Sequence, residues 1–89
     1  MQSSEITVIN KLGLHARAAA KLVKLCGEFS SNIKIGKTGN MVNGKSIMGI
    51  MMLAANKGTV LIVESDGNDE KEAHQAVCEL IDNRFEEDE

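Results

Sequence analysis

A histidine and an arginine two positions apart form the segment best suited to chemistry. Residues 13–17 read Gly13-Leu14-His15-Ala16-Arg17, and the alanine-rich stretch that follows predicts a helix beginning beside the imidazole. The first N–H groups of a helix lack partners within it and, with the helix dipole, attract an anion. The Arg17 guanidinium adds donors suited to phosphate oxygens. Because a neutral imidazole nitrogen attacks phosphorus, the segment predicts a phosphate site with a covalent acceptor.

His15 also has a purely structural interpretation. A histidine near a helix start can interact with the first turn and have no further role. Two neighbouring features favour the chemical interpretation. Gly13 permits a tight, left-handed turn before the helix, and the alanines at positions 18–20 keep side-chain bulk low beside the imidazole. A partner molecule can then approach the ring closely.

Length and composition predict one small globular domain spanning residues 1–89. The chain is 43% hydrophobic and 26% charged, as in an ordinary folded protein. Its N-terminus lacks a charged start followed by an apolar run, and its apolar runs are too short to cross a bilayer. We therefore expect a cytoplasmic protein that does not bind membranes.

The cysteines and the second histidine predict no metal site. Cys26 and Cys78 do not form a CxxC pair, and each falls in a helical apolar pattern, which favours two buried thiols over a disulfide. His74 and Cys78 share a helix face, but two ligands are too few to hold zinc.

Charge is divided unevenly along a chain whose net charge is -3. Residues 1–57 carry eight basic and two acidic side chains, whereas residues 58–89 carry two and eleven. The half containing His15 is thus suited to phosphate or to an acidic protein surface. With no Trp or Tyr and two Phe, the chain lacks platforms for stacking bases, so no nucleic-acid partner is expected. The acidic segment 86–89 is predicted to be a solvated, frayed end.

Apolar periodicity predicts an α+β fold with the element order βαββαβα. Strands are predicted at residues 5–9, 32–37, around 41–42 and at 59–64, and helices at 16–26, 47–53 and 69–83. Helices that connect strands one to two and three to four favour a split βαβ arrangement. The compact solution is an open-faced sandwich, a four-stranded antiparallel sheet with three helices on one face.

Two segments at a characteristic separation give the chain a family resemblance. Residues 10–17 (NKLGLHAR) and 42–53 (VNGKSIMGIMML) resemble HPr, the histidine phosphocarrier of the bacterial phosphotransferase system, and the match covers nearly the whole chain. The resemblance implies an HPr-like fold in which His15 takes a phosphoryl group on Nδ1 from enzyme I and passes it to a IIA-type protein. It also implies that the N–H groups of Ala16 and Arg17 bind the phosphate while the Arg17 guanidinium compensates its charge.

The same resemblance bears on cofactors and oligomeric state. The protein itself is expected to need no cofactor, since phosphoenolpyruvate and magnesium are used by enzyme I. A monomer is expected. Turnover requires partner proteins, which leaves open whether such a carrier is counted as an enzyme. A regulatory docking module of the same fold, with His15 inert, is the alternative function. A small-molecule enzyme is disfavoured because no partner base or metal cluster accompanies His15.

Two departures from the family pattern bear on which branch of the phosphotransferase system the chain serves. The usual His-x-Arg-Pro is here His15-Ala16-Arg17-Ala18, which removes a proline that fixes an early helical φ angle. Leu12 replaces a polar residue found in some sugar-branch relatives. This alanine-rich form resembles the nitrogen-related branch, NPr, and predicts a role in nitrogen regulation beside the sugar-transport role of HPr.

The second predicted helix carries more apolar side chains than one buried face needs. Ile50 and Leu53 are assigned to the core, and the resemblance implies that the others form a partner-binding surface ringed by basic residues. The predicted partner contacts are Ala20, Lys24, Lys45, Ile47, Met48 and Met51. A wholly structural role for the methionines is the alternative.

Ser46 has two predicted roles at the start of that helix. Serine is a preferred N-cap whatever the function. In relatives, a serine at this motif position is the target of a regulatory kinase, so the resemblance implies an HPr kinase as a further partner and phosphorylation of Ser46 as its effect.

Overall fold

A computed structural model describes residues 1–87 and has the predicted element order. The strands are β1 (Gln2–Thr7), β2 (Asn32–Lys37), β3 (Asn40–Asn43) and β4 (Val60–Asp66). The helices are α1 (Ala16–Cys26), α2 (Ile47–Met52) and α3 (Glu70–Asp82), and a short turn, Arg84–Glu86, follows α3. Within residues 1–87, no helix combines the length and the apolar character needed to cross a membrane.

All neighbouring strands of the sheet are antiparallel, in the order β1-β4-β2-β3. β4 lies in the centre: it pairs Ser65 with Gln2 of β1 and Val63 with Ile35 of β2. Side chains alternate across the sheet, so Leu61 and Val63 are buried against the helices. The predicted four-stranded antiparallel sheet with three helices on one face is confirmed.

The apolar stripes of the helices fill the core between helices and sheet. In α1, Ala18, Ala19, Leu22 and Cys26 are buried, and in α3, Ala73, Val77 and Ile81 are buried. Val23 and Leu80 are partly buried at the edge of the core. Ile50 and Leu53 of the α2 region are buried as predicted. Burial raises the pKa of the Cys26 thiol to about 12, which keeps it protonated and inert.

Two strands and two helices differ from their predicted bounds. β1 spans Gln2–Thr7 rather than 5–9, and β4 spans Val60–Asp66 rather than 59–64. β1 starts earlier because Gln2 pairs with Ser65, and β4 continues to Asp66 because that residue pairs with Asn32 of β2. α2 ends at Met52 rather than residue 53, and α3 spans Glu70–Asp82 rather than 69–83, with Asp69 at its N-cap position. The Asp69 carboxylate makes no capping hydrogen bond to the first turn of α3. That carboxylate instead accepts hydrogen bonds from the backbone N–H groups of Ser30 and Ser31, each at 2.9 Å, and so fixes the start of β2.

Candidate functional site

His15 occupies the N-cap position of α1, and the helix begins at Ala16 as predicted. Its backbone is extended (φ -73°, ψ 177°), and its carbonyl accepts the first helical hydrogen bond from Ala19 N–H at 2.8 Å. The imidazole makes no capping hydrogen bond to the first turn of α1. The imidazole therefore does not cap the helix, and the ring is directed to other groups.

A tight turn before the helix fixes the position of His15. Gly13 has a φ of +65°, and a Cβ atom there would lie 2.5 Å from the Ala55 carbonyl oxygen. The predicted left-handed turn is thus confirmed, and the close approach of the backbone at Ala55 requires glycine as well. Leu14 N–H donates to the same carbonyl at 2.8 Å, and the Asn10 side-chain amide donates to the Gly13 carbonyl at 2.8 Å. These contacts hold the turn against the loop that follows α2.

The His15 side chain faces an open cleft of about 810 Å³. The cleft is lined by Lys11, Leu12, His15, Ala16, Arg17, Lys21, Glu86 and Glu87. Arg17, at the start of α1, is exposed to solvent. The N–H groups of the first helical turn have no hydrogen-bond acceptor within the helix. His15, Ala16 and Arg17, all predicted site residues, are thus brought together at one helix N-terminus with a surplus of positive charge nearby.

The three alanines after Arg17 do not all act as predicted. Ala18 and Ala19 are fully buried in the core, where their small size lets α1 pack closely, and Ala20 is exposed. Low bulk beside the imidazole is therefore not the main role of the first two. The exposure of Ala20 agrees with its prediction as a contact surface.

Glu87 is a site residue that the sequence did not reveal. One carboxylate oxygen accepts a hydrogen bond from the Asn10 Nδ2 at 2.9 Å, and the other contacts His15 Nε2. Its side chain is 16% exposed, so the prediction of a solvated end at 86–89 is wrong for this residue. Glu86, 66% exposed, agrees with that prediction, while positions 88 and 89 lie outside the described residues.

The Glu87 carboxyl is ionised at neutral pH. Burial alone would raise its pKa, but the hydrogen bonds from Asn10 and His15 outweigh burial, and electrostatic attraction to His15 and Lys21 acts in the same direction as these hydrogen bonds. The net pKa is lowered. Lys21, also missed by the sequence interpretation, donates from Nζ to the Phe85 carbonyl at 2.8 Å and so connects α1 to the segment that carries Glu87.

α2 presents exposed apolar side chains. Ile47, Met48 and Met51 are 38%, 67% and 44% exposed, and the neighbouring Met52 is 76% exposed. The wholly structural alternative for the methionines does not hold for side chains this exposed. Leu12, in the cleft, is likewise 65% exposed.

Polar residues flank these apolar side chains. Lys24 is exposed on α1, and Lys45, next to α2, donates from Nζ to the Phe29 carbonyl at 2.8 Å. The Ser46 hydroxyl accepts a hydrogen bond from Gly49 N–H at 3.2 Å, which confirms its predicted role as N-cap of α2.

His74 and Cys78 lie on α3 and do not line the His15 cleft. His74 Nε2 is 2.7 Å from the Ser4 hydroxyl, and its Nδ1 is 3.4 Å from the Ser65 hydroxyl, so the ring connects α3 to β1 and β4. Both cysteines are free thiols, and Cys78 is only partly buried. Among residues 1–87, no three His, Cys, Asp or Glu side chains are grouped to hold a metal ion.

Comparison with known proteins places this site within a family. Residues 2–83 match the family described as "PTS HPr component phosphorylation site". The chain is 57% identical over 88 residues to the phosphocarrier protein HPr of Xylella fastidiosa, covering 99% of each chain. It is similar in structure to HPr-C-His from Thermoanaerobacter tengcongensis, with a TM-score of 0.95, 44% identity and full coverage of both chains.

A second structure from that organism, described as an HPr dimer, has a TM-score of 0.78 and 45% identity, and the match covers 98% of this chain and 100% of the other. The family match spans most of the chain, the relatives match over nearly their full lengths, and the fold agrees element by element. The chain therefore belongs to the HPr family, and it is a phosphocarrier of the phosphotransferase system.

Proposed function

We propose that His15 is the residue that carries the phosphoryl group, accepting it from enzyme I and passing it to a IIA-type protein. The observation that carries this proposal is the imidazole at the N-terminus of α1, 29% exposed and facing an open cleft. His74, the second histidine of the chain, is joined to two serine hydroxyls and does not face this cleft. Family membership supports the role of carrier, and the geometry supports His15 as the acceptor.

In the proposed reaction, the lone pair on Nδ1 of His15 attacks phosphorus. The bond from phosphorus to the donor atom breaks as the Nδ1–P bond forms, and the donor retains the electron pair. Backbone N–H groups of Ala16 and Arg17 donate to the phosphoryl oxygens, and the Arg17 guanidinium offsets their charge. In the second step the Nδ1–P bond breaks towards the acceptor, and its electrons return to the ring.

We propose the docking patch, defined as Ala20, Lys24, Lys45, Ile47, Met48 and Met51, as the surface that both partners contact. Exposed methionines adapt to differently shaped partners, because the side chain is unbranched and polarizable. The lysines favour acidic partners and accelerate their approach. All six residues are exposed, α1 packs against α2, and these observations support the proposal.

Ser46 is proposed as a regulatory site within the same surface. Its hydroxyl caps α2 next to Ile47. A phosphate there would be tolerated by the helix N-terminus while placing negative charge beside the docking patch. The agent would be an HPr kinase, and the effect would be weaker docking of partners that are themselves acidic.

Replacement of each histidine tests the acceptor. We expect His15→Ala to abolish phosphorylation by enzyme I and phosphoenolpyruvate, as measured by intact-protein mass spectrometry, while circular dichroism shows a retained fold. The matched control, His74→Ala, should be phosphorylated at the normal rate. Phosphorylation that persists in the His15→Ala protein would refute the assignment, and absence of any phosphohistidine in the unaltered protein would favour the docking-module alternative.

A further inference from the structure

The last described residues fold back over the cleft in a conformation that L-amino acids avoid. After α3, residues Arg84, Phe85 and Glu86 have φ angles of 54°, 54° and 64°. Three successive left-handed residues persist only when contacts elsewhere compensate for their strain. Two such contacts are present: the Phe85 side chain is fully buried, and its carbonyl accepts the hydrogen bond from Lys21. The turn is thus fastened to the core and to α1.

This turn places the Glu87 carboxylate between the Asn10 side-chain amide and the His15 imidazole. Asn10 is fully buried, and its Nδ2 donates both to Glu87 and to the Gly13 carbonyl. This orientation leaves Asn10 Oδ1 buried without a hydrogen-bond partner among the described residues. The Asn10 amide thus leaves its oxygen unpaired, while its nitrogen binds both the Glu87 carboxylate and the turn that positions His15.

We propose that Glu87 is a positioning residue for phosphoryl transfer, which accepts the Nε2–H hydrogen bond of His15 and so directs Nδ1 towards the phosphoryl group. The proposal rests on the proposed function, in which Nδ1 is the acceptor. A neutral imidazole carries its proton on the nitrogen that faces a hydrogen-bond acceptor, such as a carboxylate. With the proton held on Nε2, the lone pair resides on Nδ1, where the new bond forms.

The same contact assists the return step. Once Nδ1 has bonded to phosphorus, the ring with Nε2–H carries a positive charge, which the Glu87 carboxylate faces. When the Nδ1–P bond breaks, its electron pair returns to Nδ1, and the proton that stayed on Nε2 makes the leaving group a neutral imidazole. Without that proton the leaving group would be an imidazolate, a far poorer one. Glu87 thus favours transfer in both directions.

The charges around the ring single out Glu87. The cleft holds three basic and two acidic side chains: Lys11, Arg17, Lys21, Glu86 and Glu87. Glu86 faces solvent and lies 3.8 Å from Lys21 Nζ, so it neutralises a lysine without touching the imidazole. Glu87 alone of these two carboxylates contacts the ring. Glu86→Gln therefore removes the same charge from the same cleft and is the matched control.

Two measurements on ¹⁵N-labelled protein test the proposal. The first is the Nε2–H resonance of His15, which a hydrogen bond to carboxylate shifts downfield and protects from exchange. The second is the rate of phosphohistidine formation from phosphoramidate, a small donor that needs no partner protein, followed by ³¹P NMR. In Glu87→Ala we expect the Nε2–H resonance to be lost and the rate of phosphohistidine formation to be about tenfold lower, the effect of one lost hydrogen bond to the ring.

Glu87→Gln should give intermediate values of both, because an amide oxygen still accepts from Nε2–H, and Glu86→Gln should keep the Nε2–H resonance and a rate within about twofold of normal. A Glu87→Ala protein that reacts at the normal rate or faster, or that retains the Nε2–H resonance, would overturn the proposal. Equal values in Glu87→Gln and Glu87→Ala would also do so. Failure of the proposed function differs, because phosphohistidine would then be absent from His15 in the unaltered protein.

Discussion

At the scale of single residues, the site depends on the backbone conformation of Gly13 and on the side chain of His15 at the helix start. Gly13 supplies a left-handed turn where no Cβ fits, and His15 is left without a capping role. The sequence indicated both features, since a glycine before a helix and an imidazole at its start are local signals. It did not indicate Glu87, because the contacts of that residue with Asn10 and His15 join residues 77 and 72 positions apart. Such contacts depend on the tertiary fold alone.

Replacing Gly13 should destabilise the turn before His15 by more than the backbone angle alone explains. Gly13→Ala combines a φ of +65° with a clash against the Ala55 carbonyl, so we expect a loss of at least about 2 kcal/mol in the free energy of unfolding. Gly39→Ala is the control: φ is +80° there, but no atom lies within 4 Å of the added Cβ. Its loss should be about 1 kcal/mol in urea unfolding. Equal losses would refute the clash.

At the scale of elements, pattern strength decided what could be predicted. α1 has the predicted bounds, Ala16–Cys26, because its apolar stripe repeats over three turns between a histidine and a glycine. β1 starts earlier and β4 ends later than predicted, since polar residues such as Ser3 and Ser65 join the ladder through their backbones. The left-handed turn after α3 uses Arg84 and Phe85, residues with no local preference for that conformation, and no sequence rule indicates it.

The start of α2 offers a test of the docking patch that leaves the helix intact. Ser46→Asp and Ser46→Asn both retain an N-cap, but only aspartate adds charge. We expect Ser46→Asp to slow transfer from enzyme I roughly tenfold at low salt, with recovery as salt increases, while Ser46→Asn transfers normally. Transfer by Ser46→Asp that is normal at every salt concentration would contradict the placement of α2 in the partner surface.

Loss of that cap has a separate, purely structural effect. Ser46→Ala removes the acceptor for Gly49 N–H, so the free energy of unfolding should fall by about 1 kcal/mol. Chemical denaturation of the three Ser46 variants measures it. Stabilities of Ser46→Asp and Ser46→Asn near that of the unaltered protein would confirm that the kinetic effect above is one of charge.

The connection between α3 and β2 predicts a defined acid sensitivity. Hydrogen bonds from the Ser31 hydroxyl and then from the Ser30 backbone lower the pKa of Asp69 to about 2 from an ordinary 3.8. The folded-state pKa is depressed, so this stabilisation is complete above about pH 4 and is lost as pH falls towards 2. Asp69→Asn should therefore melt below the unaltered protein at pH 7 and match it near pH 2. A constant difference in melting temperature between these pH values would contradict this account.

At the scale of the whole molecule, the basic first half and the acidic second half of the chain supply different residues to the cleft. The basic first half supplies His15, Arg17 and the lysines of the docking patch, whereas the acidic second half supplies Glu87. The sequence predicted the fold class and the element order, because burial periodicity and connection lengths constrain both. It also predicted that His15, Ala16 and Arg17 lie together at the start of one helix. The contribution of the second half emerges only when the chain has folded.

Branch preference is a property of the whole docking surface. Leu12, Ala16 and Ala18 resemble the nitrogen-related branch, whereas the similar relatives reported above carry the name HPr. A few altered contacts shift affinity by roughly 10- to 100-fold, about 1.4 to 2.8 kcal/mol. We expect faster transfer from a nitrogen-branch enzyme I than from a sugar-branch one, measured side by side at one salt concentration. An equal or reversed preference would assign the protein to the sugar branch.

The position of β1 in the sheet has a consequence for the order in which the chain folds. β1 comes first in the sequence, yet among residues 1–87 it pairs with β4 alone, with Gln2 opposite Ser65. Closing so long a loop is entropically expensive and slow, so this ladder forms after the local contacts of α1, β2 and β3. The segment that follows β1 leads directly to His15. We therefore expect a newly synthesised chain to complete the proposed acceptor site only at the end of folding, and pulse-labelled hydrogen exchange should show the β1 amides protected last.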